Sequence, residues 1–164
     1  MNIFEYAMKM ELDGKQYYEE SAAKVGNPEL KRILMELAGD EEKHYMIFRA
    51  LRDGLPTQYE EAKKTKILAE VKNVFEALKA QNKDFEFPRE AQRVWEHARK
   101  IEKESETFYR EKAKEVKDAN QKNILSRIAD EEYKHWVTME NVIKFLDRPN
   151  HWLEDAEWSH LEDY

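Results

Sequence analysis

Cysteine is absent from the 164 residues, and glycine and proline are scarce, with four of each. Without cysteine the chain can form no disulfide, thiolate nucleophile, zinc ribbon or cysteine-bound iron–sulfur cluster. The same absence suits a reducing compartment. Few glycines and prolines, combined with 38% charged residues, favour long helices with solvated faces. We therefore predict an all-α protein without thiol chemistry.

Basic residues are fewer than acidic residues, 28 against 35, so the formal net charge is −7. This acidic balance argues against nucleic acid, which binds to basic patches, and against anionic membranes. No apolar run approaches the length of a membrane span, and the first residues lack the basic and apolar regions of a signal peptide. A chain of this length is expected to form one domain. We expect a cytoplasmic protein with neither nucleic acid nor membrane as a partner.

Four long stretches have the composition and spacing of helices, and short links join them into two hairpins. Asn27 and Pro28 fit the cap and the first residue of the second helix, and Gly54 stops it. Links of two or three residues force antiparallel neighbours. The predicted hairpins span residues 2–52 and 88–146, with helices at about residues 2–25, 28–52, 88–117 and 119–146.

A long connection, residues 55–87, separates the two hairpins. Within it, apolar residues recur at helical spacing over residues 67–80, which predicts a short amphipathic helix. A helix of about 25 residues is roughly 37 Å long, and a connection of this length covers that distance with slack. The second and third long helices can therefore run parallel. We predict a four-helix bundle with one long crossover between helices 2 and 3, occupying residues 1–146.

The tail, residues 147–164, is acidic and carries Trp152, Trp158 and Tyr164. Two interpretations of it stay open. The aromatic side chains can pack back onto the bundle as a short closing segment. Alternatively, they can form a docking surface for a partner or for a second copy of the chain.

The sequence Glu-x-x-His occurs twice, at residues 41–44 and 132–135, and the two copies lie 91 residues apart. At the same offset Glu11 aligns with Glu102. A single copy in a glutamate-rich helix would be typical of a surface ion pair. Two copies, each preceded at the same distance by another glutamate, favour one site built from both halves of the chain.

Helical phase places these residues on buried faces. Each long helix has an apolar stripe with a glutamate at its centre, and two of the stripes carry a histidine one turn later. An isolated buried carboxylate would be costly or protonated, and four together would repel one another. Two divalent cations would balance four carboxylates, with neutral imidazoles completing the ligand shell. The predicted metal ligands are Glu11, Glu41, His44, Glu102, Glu132 and His135.

Carboxylate and imidazole ligands without thiolate suit iron, and they suit manganese as well. Zinc would bind the same ligands but would carry no redox chemistry. Gly14 and Ser105 lie one turn beyond the glutamates of the first and third helices. Their small size predicts space beside the metals for peroxide or dioxygen.

Tyr18 and Tyr109 lie two turns beyond the glutamates of the first and third helices, on the same faces. They can hydrogen-bond the ligand carboxylates across the bundle and orient them, which would be a supporting role at the site. Plain packing as core tyrosines is the alternative.

With these motifs the chain resembles the ferritin-like superfamily, and within it the rubrerythrin-type diiron proteins. Residues 10–18, Met-Glu-Leu-Asp-Gly-Lys-Gln-Tyr-Tyr, look like the family's first-helix motif, and residues 37–44 and 128–135 look like its two Glu-x-x-His helices. The resemblance covers about residues 1–146 and extends to ferritin-like diiron proteins of thermophilic bacteria. It implies a four-helix bundle, two iron ions bridged by Glu41 and Glu132, and reduction of peroxide or dioxygen.

Two departures from the family pattern matter. Rubrerythrins carry a C-terminal rubredoxin-like module whose cysteines hold an iron that passes electrons to the diiron site. This chain has no cysteine, so the resemblance implies a separate electron donor such as a rubredoxin. Full rubrerythrins also have an extra glutamate one turn after the third-helix ligand, where this chain has Ser105. The change in metal ligation attributed to that glutamate is therefore not expected.

We predict a cytoplasmic non-haem diiron oxidoreductase that reduces hydrogen peroxide or dioxygen at a buried dinuclear site. Two other functions stay open. A ferroxidase or iron-handling protein would release the iron as its product. A metal-stabilised structural or interaction bundle would hold zinc, or no metal, without redox turnover. Bundles of this kind often form homodimers, and the aromatic tail offers a surface for one.

Overall fold

The computed structural model describes residues 2–155 and 157–164, which contain helices and no strand. Met1 and Ala156, which fall within the predicted bundle and tail, lie outside the described residues. The α-helices are α1 (Ile3–Lys24), α2 (Pro28–Arg52), α3 (Ile67–Ala80), α4 (Ala91–Glu115), α5 (Ala119–Asp147) and α6 (Pro149–Glu154). Short 3-10 segments cover Glu61–Lys63 and Glu157–Asp163. None of the helices in the described ranges is long and apolar enough to cross a membrane.

Side-chain caps determine where several helices begin. Asn2 accepts a hydrogen bond from the backbone of the first turn of α1, and Asn27 does the same for α2. Asp118 caps α5 through the backbone N–H of Gln121 at 2.9 Å. The start of α4 differs from the prediction, which placed it near Pro88. Residues 88–90 form a turn whose carbonyls accept bonds from three residues further on, so regular α-helix begins only at residue 91.

The contacts between helices establish the topology. α1 packs along α2, and α4 packs along α5. Across the hairpins, Tyr18 of α1 contacts Glu102 of α4, and Glu11 of α1 contacts Tyr109 of α4, so these two helices are antiparallel. His44 of α2 contacts Glu131 of α5, and Asp40 of α2 contacts His135 of α5, so these two helices are antiparallel as well. α2 and α4 therefore run parallel, which confirms the predicted all-α ferritin-like bundle with one long crossover.

Apolar side chains fill the bundle in two clusters, with the buried charges between them. Along α2, the buried apolar residues from Leu30 to Ala38 belong to one cluster and Phe48 belongs to the other. Glu41 and His44 lie between these two stretches. The order is reversed along α1 and α5, which run antiparallel to α2. The carboxylates therefore lie between two apolar layers.

The tail packs back onto the bundle. Trp152 and Trp158 contact the ring of Phe75 in α3, with centroid separations of 5.8 Å and 6.0 Å. Both indoles are buried. Tyr164 remains 60% exposed. The tail and α3 thus close one side of the bundle, which is the first of the two arrangements that the sequence left open.

Candidate metal centre

Each of the four long helices, α1, α2, α4 and α5, buries a predicted glutamate ligand near the middle of its inner face, and α2 and α5 each bury a histidine one turn later. The structure brings all six residues predicted as ligands together, and each has at most 3% of its surface exposed. They are Glu11, Glu41, His44, Glu102, Glu132 and His135. The two apolar clusters lie on either side of this group.

The six side chains form two overlapping groups, and in each group the ligand atoms lie within 4.8 Å of one another. One group contains the glutamate of α1 and the histidine of α2, and the other contains the glutamate of α4 and the histidine of α5. Glu41 and Glu132 belong to both groups, one from each hairpin. This geometry could accommodate two neighbouring ions that share two carboxylates.

Both imidazoles direct Nδ1 towards the carboxylates. His44 Nδ1 lies 3.0 Å from an oxygen of Glu132 and 3.4 Å from an oxygen of Glu11. His135 Nδ1 lies 3.2 Å from an oxygen of Glu102. A neutral imidazole binds a metal through the nitrogen that carries no proton, so Nδ1 is the nitrogen placed for ligation.

The other ring nitrogen of each histidine contacts a carboxylate outside this group. His44 Nε2 lies 2.9 Å from Glu131, and His135 Nε2 lies 2.9 Å from Asp40. A carboxylate on Nε2 favours the tautomer with a free Nδ1 and orients the ring. Asp40 and Glu131 were not predicted as site residues from the sequence. The signal was present, because the two residues precede the paired glutamates at the same offset of 91.

The crossover supplies a hydroxyl to each of these outer carboxylates. Tyr59 donates a hydrogen bond to Glu131, and Thr65 donates one to Asp40. Thr65 Oγ1 also accepts a bond from the backbone N–H of Ile67 at 3.1 Å, at the start of α3. The crossover therefore contributes to the site as well as connecting the hairpins. No local pattern marked Tyr59 or Thr65, because their partners are distant in sequence.

Tyr18 and Tyr109 are fully buried and reach from one hairpin to the other. Tyr18 donates a hydrogen bond to Oε1 of Glu102, and Tyr109 donates one to Oε1 of Glu11 at 2.7 Å. The Oε2 atom of each glutamate has no hydrogen-bond partner among the described residues. Each tyrosine thus holds one carboxylate oxygen and leaves the other available.

The space expected beside Gly14 is not open in the structure. A Cβ atom at Gly14 would lie 2.9 Å from Oε2 of Glu41. The absence of a side chain therefore lets the carboxylate of α2 lie against α1. Ser105, the counterpart of Gly14 on α4, is buried. Glycine at this position makes room for a predicted ligand rather than for a small molecule.

Burial and mutual repulsion control the protonation of the shared carboxylates. Burial, together with the charges of neighbouring glutamates, raises the pKa of Glu41 and of Glu132 well above the usual value. Burial acts on Glu11 as well, but the facing imidazole of His44, together with hydrogen bonds to Glu41 and Tyr109, outweighs it, and the pKa of Glu11 is lowered. In the absence of a cation, burial and repulsion therefore favour protonation of the two shared carboxylates.

Carboxylates around the imidazoles shift the protonation of the histidines. Burial opposes their charge, but the facing carboxylates outweigh it and raise the pKa of His44 and of His135 well above the usual value. Burial also opposes ionisation of Asp40 and Glu131, but their contacts with the imidazoles prevail and the pKa of each is lowered. A cation that binds to this site would have to displace protons.

The donor atoms of this cluster fit a metal. Five of the six predicted ligands have a buried oxygen or nitrogen without a hydrogen-bond partner within the described residues: Glu11, Glu41, His44, Glu102 and Glu132. Unpaired buried oxygens and nitrogens are costly unless a cation or a proton satisfies them. Oxygen and imidazole donors without sulfur suit iron, manganese or zinc.

Fold and site together define a ferritin-like bundle with a buried carboxylate–histidine cluster that could hold metal. The Rubrerythrin family model matches residues 2–143. The chain belongs to the rubrerythrin family, which confirms the resemblance inferred from the sequence, and membership implies metal binding, with iron as the family's metal. No curated protein and no solved structure matches the chain.

Proposed function

We propose that the protein is a non-haem diiron oxidoreductase that reduces hydrogen peroxide or dioxygen at the buried cluster. The observation that carries this proposal is the pair of overlapping ligand groups that share Glu41 and Glu132. Four ionised carboxylates carry about four negative charges, which two divalent cations balance. A single cation would leave uncompensated charge in the interior of the bundle, which is costly.

In this proposal Glu11 and His44 would hold one ion, Glu102 and His135 would hold the other, and the shared glutamates would serve both. Iron in this ligand set supplies two electrons to the oxidant. Hydrogen peroxide takes up two electrons and two protons, its O–O bond breaks, and two molecules of water form. Manganese or zinc would fit the same donors, but zinc is redox-silent.

Other side chains would hold this ligand set in position. Asp40 and Glu131 orient the imidazoles, and Tyr18 and Tyr109 hold one oxygen of each unshared carboxylate. Partners of this kind typically contribute 10–100-fold to metal affinity. The apolar clusters on both sides limit the access of water, which limits side reactions at a reactive centre.

Electrons have to come from a separate donor in this proposal. The sequence contains no cysteine that could hold a rubredoxin-type iron. A donor protein such as a rubredoxin, in a cytoplasmic setting, would return the metal pair to its reduced state after each turnover.

Anaerobic titration with Fe(II), followed by hydrogen peroxide or air, tests the proposal. Near-ultraviolet absorption of the oxidised iron pair reports each oxidation, and a chemical reductant resets the protein. We expect about two irons per chain to persist through many cycles while peroxide is consumed. Accumulation of many more irons per chain would replace the proposal with a ferroxidase or iron-handling function. Zinc binding without any redox response would replace it with a structural role.

A further inference from the structure

A cavity of about 380 Å³ lies between α2 and the first part of the crossover. Its walls include Met46, Ile47, Pro56 and the ring of Tyr59, so much of the surface is apolar. Neither the proposed ligand set nor the packing of the bundle accounts for a space of this size. Its position and lining therefore bear on what the site can accept.

The inner end of the cavity reaches the metal cluster. His44 and Glu131 both line it, although only 2% and 6% of their surfaces are exposed. The cavity thus ends at a proposed ligand and at the carboxylate that orients it. The other half of the cluster differs, because the neighbouring cavity that includes Thr65 includes neither Asp40 nor His135.

The cavity is much larger than hydrogen peroxide or dioxygen requires. A water molecule has a share of about 30 Å³ in the liquid, and both oxidants are small molecules of comparable size. Sites for organic ligands typically measure about 300–1,000 Å³ and combine apolar walls with a few polar groups. Apolar walls with polar groups at the inner end fit a molecule that has an apolar body and a polar head.

Charged side chains at the rim are largely paired, so they offer little attraction to an ion. Lys63 lies 2.9 Å from Glu60, and Glu42 lies 2.9 Å from Lys15 on α1. Lys43 lies 4.0 Å from the buried carboxylate of α2 that orients a histidine. Such pairing leaves no uncompensated cluster of one sign. An uncharged molecule therefore fits the rim better than a carboxylate or a phosphate.

We propose that this cavity admits organic hydroperoxides with an uncharged apolar body and leads them to the metal cluster. The inference rests on the proposed function, which supplies the electrons. In the reaction the O–O bond of the hydroperoxide breaks, two electrons and two protons are taken up, and an alcohol and water form. The electrons come from the reduced metal pair and are replaced by the separate donor.

Binding is tested with 2-phenylpropan-2-ol, the alcohol that cumene hydroperoxide yields, because it carries no peroxide bond. The readout is NMR of ¹³C-labelled methionine methyl groups in the full-length protein. Met46 lines the cavity and is 44% exposed, whereas Met35 of the same helix is 48% exposed and lies outside it. We expect the alcohol to shift the signal of Met46 and to leave that of Met35 unchanged. No shift at Met46, or equal shifts at both, would overturn the inference.

Turnover of the iron-loaded protein provides a second test, with cumene hydroperoxide and hydrogen peroxide as substrates. Met46→Trp fills the cavity, and Met35→Trp is the matched control. We expect Met46→Trp to lower kcat/KM for cumene hydroperoxide by about tenfold or more, as steric changes in a binding pocket do. With hydrogen peroxide, kcat/KM should change by less than about threefold because a smaller molecule still passes. Met35→Trp should match the parent with both substrates.

The outcomes separate this inference from the proposed function. Reduction of hydrogen peroxide without reduction of cumene hydroperoxide would overturn the inference and leave the proposed function intact. Reduction of neither peroxide, together with alcohol binding at Met46, would overturn the proposed function and the substrate assignment with it. If Met46→Trp fails to fold, the methyl signal of Met46 in the parent protein remains the deciding measurement.

Discussion

The two halves of the cluster have the same inner residue types but different surroundings. The open half consists of His44, Glu131 and Tyr59, and the closed half consists of His135, Asp40 and Thr65. In each half an imidazole, an outer carboxylate and a hydroxyl form one chain of contacts. The open half borders the cavity beside α2, and Tyr59 is only partly buried. All members of the closed half are at most 5% exposed.

This difference arises from the crossover rather than from the repeat. The predicted ligands and the outer carboxylates come in pairs separated by 91 residues, so the hairpins alone would build two equivalent halves. Tyr59 and Thr65 both belong to the crossover, which has no second copy. A near-symmetric bundle thus acquires one enclosed imidazole and one that borders a cavity. Enclosure favours retention of metal, and a cavity favours access by substrate.

Loss of a shared carboxylate should have the largest effect, because both halves depend on it. Glu132→Gln keeps the shape of the side chain and removes its charge. We expect both irons to be lost, with affinity reduced by more than the 10–100-fold typical for outer partners. Glu11→Gln should weaken mainly the ion of the open half. Metal content per chain after anaerobic loading and desalting measures both effects.

Circular dichroism of the same variants provides the control for folding. A Glu132→Gln variant that retained iron as well as the parent would contradict the central role of the shared carboxylates. If Glu11→Gln and Glu132→Gln lost the same amount of iron, the distinction between shared and unshared ligands would have no support.

The outer carboxylates should have the next largest effects, and here the two halves should differ. Asp40→Asn and Glu131→Gln each remove the charge that faces an imidazole. We expect metal binding in the affected half to weaken by about 10–100-fold, with the greater loss for Asp40→Asn. Water from the cavity can partly replace Glu131, whereas Asp40 is enclosed. A stepwise Co(II) titration, followed by visible absorption, separates the two affinities. A greater loss for Glu131→Gln would contradict the assignment of open and closed halves.

The metal-free protein should lose stability as the pH rises above about 6.5, the usual pKa of histidine. The facing carboxylates raise the pKa of His44 and of His135, so the folded state binds more protons than the unfolded state above that pH. The stabilisation that the two histidines contribute is complete below their pKa in the unfolded state. It is lost as the pH rises through their pKa in the folded state. The raised pKa of Glu41 and of Glu132 acts in the same direction. Thermal unfolding between pH 6.5 and pH 9 measures the fall in Tm.

Histidine variants show whether the two halves contribute equally to this pH dependence. His135→Gln should flatten it more than His44→Gln, because only His44 borders the cavity. The metal-loaded parent is the control, since bound cations displace these protons and should remove the fall. If the Tm of the metal-free protein rose across this pH range, the predicted direction of the pH dependence would be wrong.

Prediction of the fold succeeded where the signal was periodic or local. The apolar stripes identified every long helix, and Asn27 with Pro28 marked the start of α2 correctly. The start of α4 was placed too early, because Pro88 opens a turn with shorter-range hydrogen bonds before regular helix begins. The length of the crossover was enough to predict parallel α2 and α4. Its inner contacts could not be predicted, because they follow no period.

The site was less completely predictable than the fold. The 91-residue repeat and the helical phase can both be read from the sequence, and they were sufficient to predict the six candidate ligands. Asp40 and Glu131 share the same offset but lie beside the apolar stripe, where a solvated charge is the usual interpretation. The opposite hairpin buries them in the structure. The prediction of open space beside Gly14 was wrong, because the side chain of Glu41 from the neighbouring helix fills that space.

The two hydroxyls of the crossover should give the smallest effects. Thr65→Val removes the donor to Asp40 and the acceptor for the N–H of Ile67. The loss leaves buried polar groups without partners, so we expect it to lower the free energy of unfolding by about 1–3 kcal/mol. Tyr59→Phe removes the donor to Glu131, but water in the cavity can take its place. Its cost should therefore be smaller, about 0.5–1 kcal/mol.

Urea unfolding of the metal-free variants measures this difference directly. Thr107→Val, at an exposed position of α4, is the matched control and should change stability by less than about 0.5 kcal/mol. Tyr59→Phe should leave the protein closer to this control than to Thr65→Val. If Tyr59→Phe proved as costly as Thr65→Val, water could not replace the phenol at Glu131. Water in the cavity would then not reach the open half. The difference between the halves would then be one of residue type alone.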